Sequence, residues 1–164
     1  MALRTCSAEI SCQEESCGEE FSLLAKQVSE CYGVCVERSA DYLNWRFLAH
    51  LHSRHEMLTA RRDGDLVAYL IFTQTDEDAS IVDLFGFEDT EVLGSLVAHA
   101  VDLLRQRGVI TVSASVLASH PRRALFESLG FRARESVPVL LYGAGKNLAG
   151  ANPSWFLMDG DRDS

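Results

Sequence analysis

A strand, a helix and a second strand follow one another between residues 80 and 116, and this succession constrains the fold more than any other feature. Residues 80–85 and 109–116 are apolar runs with the length and composition of buried strands. Between them, apolar residues recur at helical spacing over residues 92–104, and Gly108 ends that segment. Because such connections are almost always right-handed, the pattern predicts two neighbouring parallel strands with a helix packed on the sheet.

A hairpin precedes this unit. Residues 57–60 and 66–73 have strand-like composition, and the Asp63-Gly64 pair between them is the strongest short-range signal for a hairpin turn. With residues 80–85 they predict an antiparallel meander of three strands. The sheet is therefore expected to be mixed, antiparallel in its N-terminal part and parallel at its centre.

Helical patterns flank these strands. The first predicted helix begins at Phe21 and stops before Gly33, the second is capped by Ser39 or Asp41, and a short one ends at Gly130. The fold class predicted is α/β of the α+β type, a single domain with helices on both faces of the mixed sheet.

The two ends of the chain carry weaker signals. Residues 1–20 mix Ser, Cys and Glu, and we interpret them as a loosely ordered segment or an edge strand. Residues 137–142 and 155–158 are predicted to be the last two strands. Residues 21–164 are then expected to form one folded domain.

The charge excludes several classes of partner. The chain has 164 residues, 47% of them apolar, a net charge of -9 and a pI near 4.9. Such a field repels phosphate backbones and anionic lipid, so we expect binding neither to nucleic acid nor to a membrane. The basic pairs Arg61-Arg62 and Arg122-Arg123 are interpreted as parts of a solvated face. No run reaches the roughly eighteen apolar residues needed to cross a bilayer, and a cytoplasmic location is expected.

Two groups of residues have side chains of the kind that bind metal ions. The five cysteines lack the spacing of a zinc site and are predicted to be reduced thiols; they are Cys6, Cys12, Cys17, Cys31 and Cys35. His50, His52 and His55 either form a metal cluster or are exposed polar residues. Because only Glu56 is close in sequence as a further ligand, we predict no metal site.

The order of elements from residue 80 to Gly130-Phe131 resembles the coenzyme A half of the GNAT superfamily of acyl-CoA N-acyltransferases. In that family, coenzyme A enters where two central parallel strands diverge, and its pantetheine arm pairs with free backbone of the fourth strand. The matching positions here are Leu84, Phe85 and Gly86. The resemblance thus implies an open, V-shaped gap beside them, where unpaired N–H and C=O groups can satisfy the cofactor's amides. An ordinary buried strand is the alternative.

The family binds the cofactor's diphosphate at the start of the next helix, where glycines and the helix dipole favour anions. The resemblance places Thr90 and Gly94 at this cofactor-binding turn. Asp89 stands where the family has a basic residue, and Glu88 and Glu91 add two carboxylates nearby. Like charges at ~6 Å in an effective dielectric of ~20 cost on the order of 2–3 kcal/mol per pair. These acids are expected to weaken cofactor binding; alternatively, they only complement the helix N-terminus.

The family's final helix carries a tyrosine that protonates the departing thiolate and an asparagine that orients the cofactor. Here Phe126 stands at the tyrosine position, and Ser119 lies approximately at that of the asparagine. Phenylalanine has no proton to donate, and some members of the family use water or another side chain instead.

Three residues near the predicted sheet centre are candidates for the general base, namely Asp83, His99 and His120. Asp83 interrupts an apolar strand, and His120 precedes Pro121 at the mouth of the predicted cleft. We take Asp83 and His120 as the catalytic candidates. The alternatives are a structural hydrogen-bonding role for Asp83 and a helix-capping role for His120.

The resemblance implies transfer of an acetyl or other acyl group from acyl-CoA to the amine of a small-molecule or peptide acceptor. The changed phosphate-binding turn and Phe126 favour the alternative, a GNAT-shaped module that binds or dimerises without catalysis. A homodimer is compatible with both hypotheses.

Overall fold

The computed structural model describes residues 8–49, 54–138 and 154–161. Its strands are β1 (Glu9–Cys12), β2 (Val34–Cys35), β3 (His55–Arg62), β4 (Asp65–Gln74), β5 (Asp78–Gly86), β6 (Thr111–Ala114) and β7 (Trp155–Phe156). Five of them form one sheet in the order β1-β3-β4-β5-β6, antiparallel as far as β5 and parallel between β5 and β6. The short strands β2 and β7 form a separate parallel pair. The predicted mixed sheet is confirmed.

The helices are α1 (Glu19–Ser29), α2 (Ala40–Leu43), α3 (Thr90–Gln106) and α4 (Arg123–Ser128). A π-helical turn over Asn44–Leu48 extends α2, and Asp159–Asp161 form a 3-10 turn. Ser39 caps α2, since its side chain accepts a hydrogen bond from the Tyr42 amide. None of the described helices is both long and apolar enough to cross a membrane.

The turn between β3 and β4 has the predicted hairpin chemistry. Asp63 and Gly64 have φ values of 53° and 92°, both in the left-handed region that a two-residue hairpin turn of this type requires. Glycine adopts this region without steric cost, and Asp tolerates it better than most residues. The sequence therefore sets the register of β3 against β4 locally.

The central strand β4 packs against helices on both faces. Tyr69 contacts Phe21 of α1, with ring centroids 5.9 Å apart. Phe72 points to the opposite face because side chains alternate along a strand. There it contacts the guanidinium of Arg107, directly after α3. Helices on both faces, as predicted, cover a sheet whose central residues are fully buried.

The last strands differ from the prediction. Strand β6 is limited to residues 111–114 rather than 109–116, because beyond Ala114 the chain leaves β5 and Val116 forms a bridge with Met158. Only residues 155 and 156 of the predicted strand 155–158 pair as a strand. Residues 137 and 138 are not in a strand. The rest of the predicted strand 137–142, like His50 and His52, lies outside the described residues.

Candidate functional site

Strands β5 and β6 diverge before β5 ends. Their parallel pairing runs from Asp78–Thr111 to Ile81–Ala114, whereas β5 stays paired with β4 as far as Gly86. Residues 82–86 thus have one edge in the sheet, and no described strand pairs with the other edge. This is the backbone arrangement that the resemblance implied.

Side chains fill the space beside this edge, so the expectation of an open gap is wrong for the described residues. The Leu84 amide donates to Met158 Sδ at 3.2 Å, and Arg122 Nη2 donates to the Gly86 carbonyl at 3.0 Å. The fully buried Phe156 ring packs edge-on against Phe85 at a centroid distance of 5.4 Å. The free edge of β5 is therefore covered by the C-terminal segment and by Arg122.

Close packing explains the glycine at the end of β5. A Cβ atom on Gly86 would lie 2.3 Å from the Cβ of Ala68 and 2.7 Å from the Val67 carbonyl oxygen. These atoms belong to β4 and cannot move aside without separating the strands. Gly86, predicted to bind the cofactor, thus also has a structural reason to be glycine.

The turn into α3 is organised by Asp89. Its side chain accepts hydrogen bonds from the amides of Glu91 and Val92, each at 3.1 Å, so Asp89 is the N-cap and Thr90 is the first helical residue. Arg62 Nη2 donates to the same carboxylate at 2.9 Å, and this hydrogen bond is the main cause that lowers the pKa of Asp89. Gly94 lies inside α3 rather than before it.

Arg122 is the main site residue that sequence reasoning missed. Its side chain is only 2% exposed, and Nη1 donates to Glu88 Oε2 at 2.7 Å. Tyr32 donates its hydroxyl to the other oxygen of Glu88. The interpretation of Arg122 as part of a solvated face is wrong, because α4 turns this guanidinium towards the end of β5. Two of the acids near the turn, Glu88 and Asp89, consequently have arginine partners.

Asp83 lies in a buried ionic network. Arg38 Nε and Nη2 donate to its two oxygens at 3.0 and 3.1 Å, and the Tyr69 hydroxyl donates at 3.0 Å. Arg38 Nη2 also donates to Asp161 at 2.8 Å, and burial raises the pKa of Asp161 although Arg38 opposes this. With both oxygens occupied, Asp83 fits the structural role that the sequence left open. A polar residue within an apolar strand was the only sequence signal for this network.

His120 is buried just before α4, with 3% of its surface exposed. Its Nδ1 accepts a hydrogen bond from the Arg122 amide at 3.0 Å. Burial, assisted by the charge of Arg122, lowers the pKa of His120 to about 4. The ring is therefore neutral at pH 7, and because Nδ1 is an acceptor, the proton lies on Nε2.

The remaining candidates lie around α4. Phe126 is buried and packs edge-on against Phe131 with ring centroids 5.1 Å apart. Phe126 follows Arg122 by four residues, so the two side chains share one face of the helix. Ser119 is exposed in the turn that precedes His120.

A groove of about 630 Å³ lies at the other end of β3, away from these residues. It is lined by β1, the π-helical turn and Arg107, and it includes the acids Glu14, Glu15 and Glu56. None of its lining residues belongs to β5 or to the first turn of α3, where the resemblance places coenzyme A. In the described part of the chain, no three metal-ligating side chains cluster here or elsewhere.

Comparison with solved structures finds the same fold in acetyltransferases. Ribosomal-protein-alanine N-acetyltransferase from Brucella melitensis biovar Abortus 2308 is similar over 84% of this chain and 100% of that chain, with a TM-score of 0.64 and 20% identity. The ribosomal-protein-S18-alanine N-acetyltransferase from Escherichia coli is similar over 78% of this chain and 79% of that chain, with a TM-score of 0.62 and 18% identity.

A third similar structure contains the cofactor. It is N-acetylglutamate synthase from Neisseria gonorrhoeae, complexed with coenzyme A and N-acetyl-glutamate. The TM-score is 0.55 at 20% identity, over 78% of this chain and 29% of that chain. Comparison with curated proteins finds no significant match.

The sequence itself carries the family assignment. The sequence model of the acetyltransferase (GNAT) family matches residues 21–131, which contain all but the first two residues of α1, the whole of α2 to α4 and the strands β2 to β6. The matched region ends at the Gly130-Phe131 pair that follows α4. This chain belongs to the GNAT acetyltransferase family.

Proposed function

We propose that this protein is an N-acyltransferase that binds acetyl-CoA, or another acyl-CoA, along the free edge of β5. The observation that carries the proposal is the divergence of β5 and β6 after Ile81 and Ala114. It leaves residues 82–86 with backbone groups that an amide-bearing arm can pair with as an added strand. Membership of an acyl-CoA-dependent family supports the same use of this edge.

The groups now covering the edge can be exchanged for the cofactor. A thioether sulfur is a weak hydrogen-bond acceptor. The Leu84 amide would therefore form a stronger hydrogen bond to an amide carbonyl of the pantetheine arm than it forms to Met158 Sδ. Arg122 keeps Glu88 as a partner when it leaves the Gly86 carbonyl. Binding thus requires Arg122 to leave the edge of β5, together with the C-terminal segment that carries Met158 and bridges to Val116.

The diphosphate is proposed to bind at the N-terminus of α3, beside Thr90 and Gly94. The helix dipole favours an anion there, and the diphosphate would take the place of the Asp89 carboxylate on the amides of Glu91 and Val92. Arg122 and Arg62 offset the charges of Glu88 and Asp89, which removes much of the repulsion expected from the sequence.

The reaction joins the amine nitrogen of the acceptor to the acyl carbon and breaks the bond from that carbon to sulfur. The nitrogen loses a proton to water, and the coenzyme A thiolate takes one from water. Asp83 pairs with Arg38 and Tyr69, and His120 accepts a hydrogen bond at Nδ1, so neither side chain acts as the base in this proposal. Catalysis then depends on positioning the amine against the thioester.

Calorimetric titration with acetyl-CoA tests the binding step, and release of free coenzyme A in the presence of small amines and peptides tests transfer. At a hundred times its dissociation constant, acetyl-CoA should stabilise the protein by about 2.7 kcal/mol. Adenosine 3′-phosphate 5′-diphosphate, which keeps the diphosphate but lacks the pantetheine arm, is the matched control ligand. It should bind at least about tenfold more weakly, since hydrogen bonds to the strand edge are worth about 1 kcal/mol each.

Absence of heat and of a thermal shift at millimolar acetyl-CoA would refute the acyltransferase. The alternative, a GNAT-fold module that binds or dimerises without catalysis, would then account for the fold. Equal affinity for acetyl-CoA and for the control ligand that lacks the arm would instead refute the placement of the arm on β5.

A further inference from the structure

Two buried hydrogen-bond donors near the end of β5 lack partners among the described residues. They are Nε2 of His120 and Nε of Arg122, and both residues are at least 97% buried. Buried donors are almost always satisfied, so each such case calls for an explanation. Both belong to the segment that leads into α4, and both side chains contact the ring of Phe156.

The local geometry makes His120 a donor at Nε2. The Arg122 amide donates to Nδ1 at 3.0 Å and so fixes the tautomer with its proton on Nε2. Neutral imidazole held in this way can hydrogen-bond to an oxygen without carrying a charge itself. The ring lies 4.6 Å from Phe156, which in turn packs on Phe85 of the free edge of β5.

We propose that His120 donates a hydrogen bond from Nε2 to the carbonyl oxygen of the acyl group on the bound acyl-CoA. The inference rests on the proposed function and assigns to His120 a role other than that of a base. As the amine adds, this oxygen gains negative charge, and a donor already in place stabilises that charge more than the ground state. Arg122 is a positioning residue, because its amide orients the imidazole.

The environment of His120 fits an acyl carbonyl better than the diphosphate. The His120 ring is enclosed beside Phe156, and the two guanidiniums over that ring, those of Arg38 and Arg122, already have carboxylate partners. A neutral donor and a neutral carbonyl can therefore meet there without leaving a buried charge unpaired. The diphosphate is expected at the start of α3, where the neighbouring Glu88 side chain is 56% exposed.

Two non-transferable analogues of acetyl-CoA test the proposal by affinity. In one, methylene replaces the thioester sulfur and the carbonyl remains; in the other, methylene also replaces the carbonyl. The wild-type protein should bind the ketone about tenfold more tightly than the carbonyl-free analogue. In His120→Asn, which keeps an acceptor for the Arg122 amide but removes the Nε2 donor, this preference should fall below threefold. His120→Gln, whose amide reaches the Nε2 position, should restore most of it.

The outcomes separate this inference from the proposed function. If the wild-type protein binds neither analogue, both the proposed function and the proposed role of His120 are refuted. If it binds both equally, or if His120→Asn weakens both equally, acyl-CoA binding stands and the inference is overturned. In the last case, His120 contacts the pantetheine arm or serves only to pack against Phe156.

Nuclear magnetic resonance of His120 provides a test that does not depend on the stability of the variants. In the wild-type protein, nitrogen shifts should show the proton on Nε2, and the ketone analogue should move this proton signal downfield. The carbonyl-free analogue should leave it in place. Protonation on Nδ1, or the same response to both analogues, would overturn the inference.

Discussion

Two buried arginines determine the electrostatics of the candidate site. Arg38 pairs with Asp83 and Asp161, and Arg122 pairs with Glu88. The sequence indicated a buried carboxylate at Asp83, because a charged residue interrupts an apolar strand. The partner could not be predicted, since Arg38 lies 45 residues away and reaches Asp83 only through the tertiary fold.

Replacing Glu88 by Gln should tighten acetyl-CoA binding about tenfold, or about 1.4 kcal/mol. The change removes a carboxylate near the proposed diphosphate and leaves the charge of Arg122 available to it. Calorimetric titration at low salt is the measurement. Asp102→Asn, an exposed acid of α3 away from the turn, is the control and should leave affinity unchanged. Weaker binding to Glu88→Gln would contradict the proposed position of the diphosphate.

His120 should make stability fall as the pH decreases from about 6.5 towards 4. Burial lowers the pKa of His120 to about 4 in the folded protein, whereas the unfolded chain takes up the proton near 6.5. The unfolded state therefore binds more protons in this window, and the free energy of unfolding drops by up to about 3 kcal/mol by pH 4.

Urea unfolding of the wild type and of His120→Gln between pH 4 and 7.5 measures this loss of stability. The carboxylates titrate in both proteins, so the difference between the two curves isolates His120. We expect the variant to lose less stability on acidification. Parallel curves would show that His120 is not buried in its neutral form.

At the scale of elements, β5 connects the core of the fold to the candidate site. The sequence predicted its place between a hairpin and a helix, because apolar periodicity and the Asp63-Gly64 turn are local signals. It predicted β6 to run to residue 116, two residues beyond the observed end at Ala114. The ladder stops at Ile81–Ala114 because the C-terminal segment occupies the adjoining space, and this depends on contacts between distant residues.

Two Gly→Ala substitutions, one in β5 and one in α3, should have opposite effects on stability. Gly86→Ala places a Cβ 2.3 Å from that of Ala68 and should destabilise by about 1–3 kcal/mol through overpacking. Gly94→Ala meets only Leu125 Cδ1, at 3.8 Å, inside α3 and should stabilise by about 0.5–1 kcal/mol. Chemical denaturation of both variants measures this. A neutral Gly86→Ala would contradict the close approach of β4 and β5.

At the scale of the whole molecule, the order of elements and the mixed sheet could be read from the sequence, and so could the family. The side chains that surround the candidate site could not be predicted from the sequence. Phe156 and Met158 come from the far end of the chain, and Met158 meets Leu84 across 74 residues. The two ends of the sheet therefore differ: at one end the edge of β5 is covered, and at the other end, beside the start of β3, lies the acidic groove.

Mapping of backbone amide signals by nuclear magnetic resonance during titration with acetyl-CoA shows directly whether the cofactor binds along β5. We predict that residues 82–86 and the first turn of α3 show the largest changes, and that Met57, in the distant groove, shows none. Changes confined to the groove, or β5 signals that stay unchanged at saturation, would show that acetyl-CoA does not bind along β5.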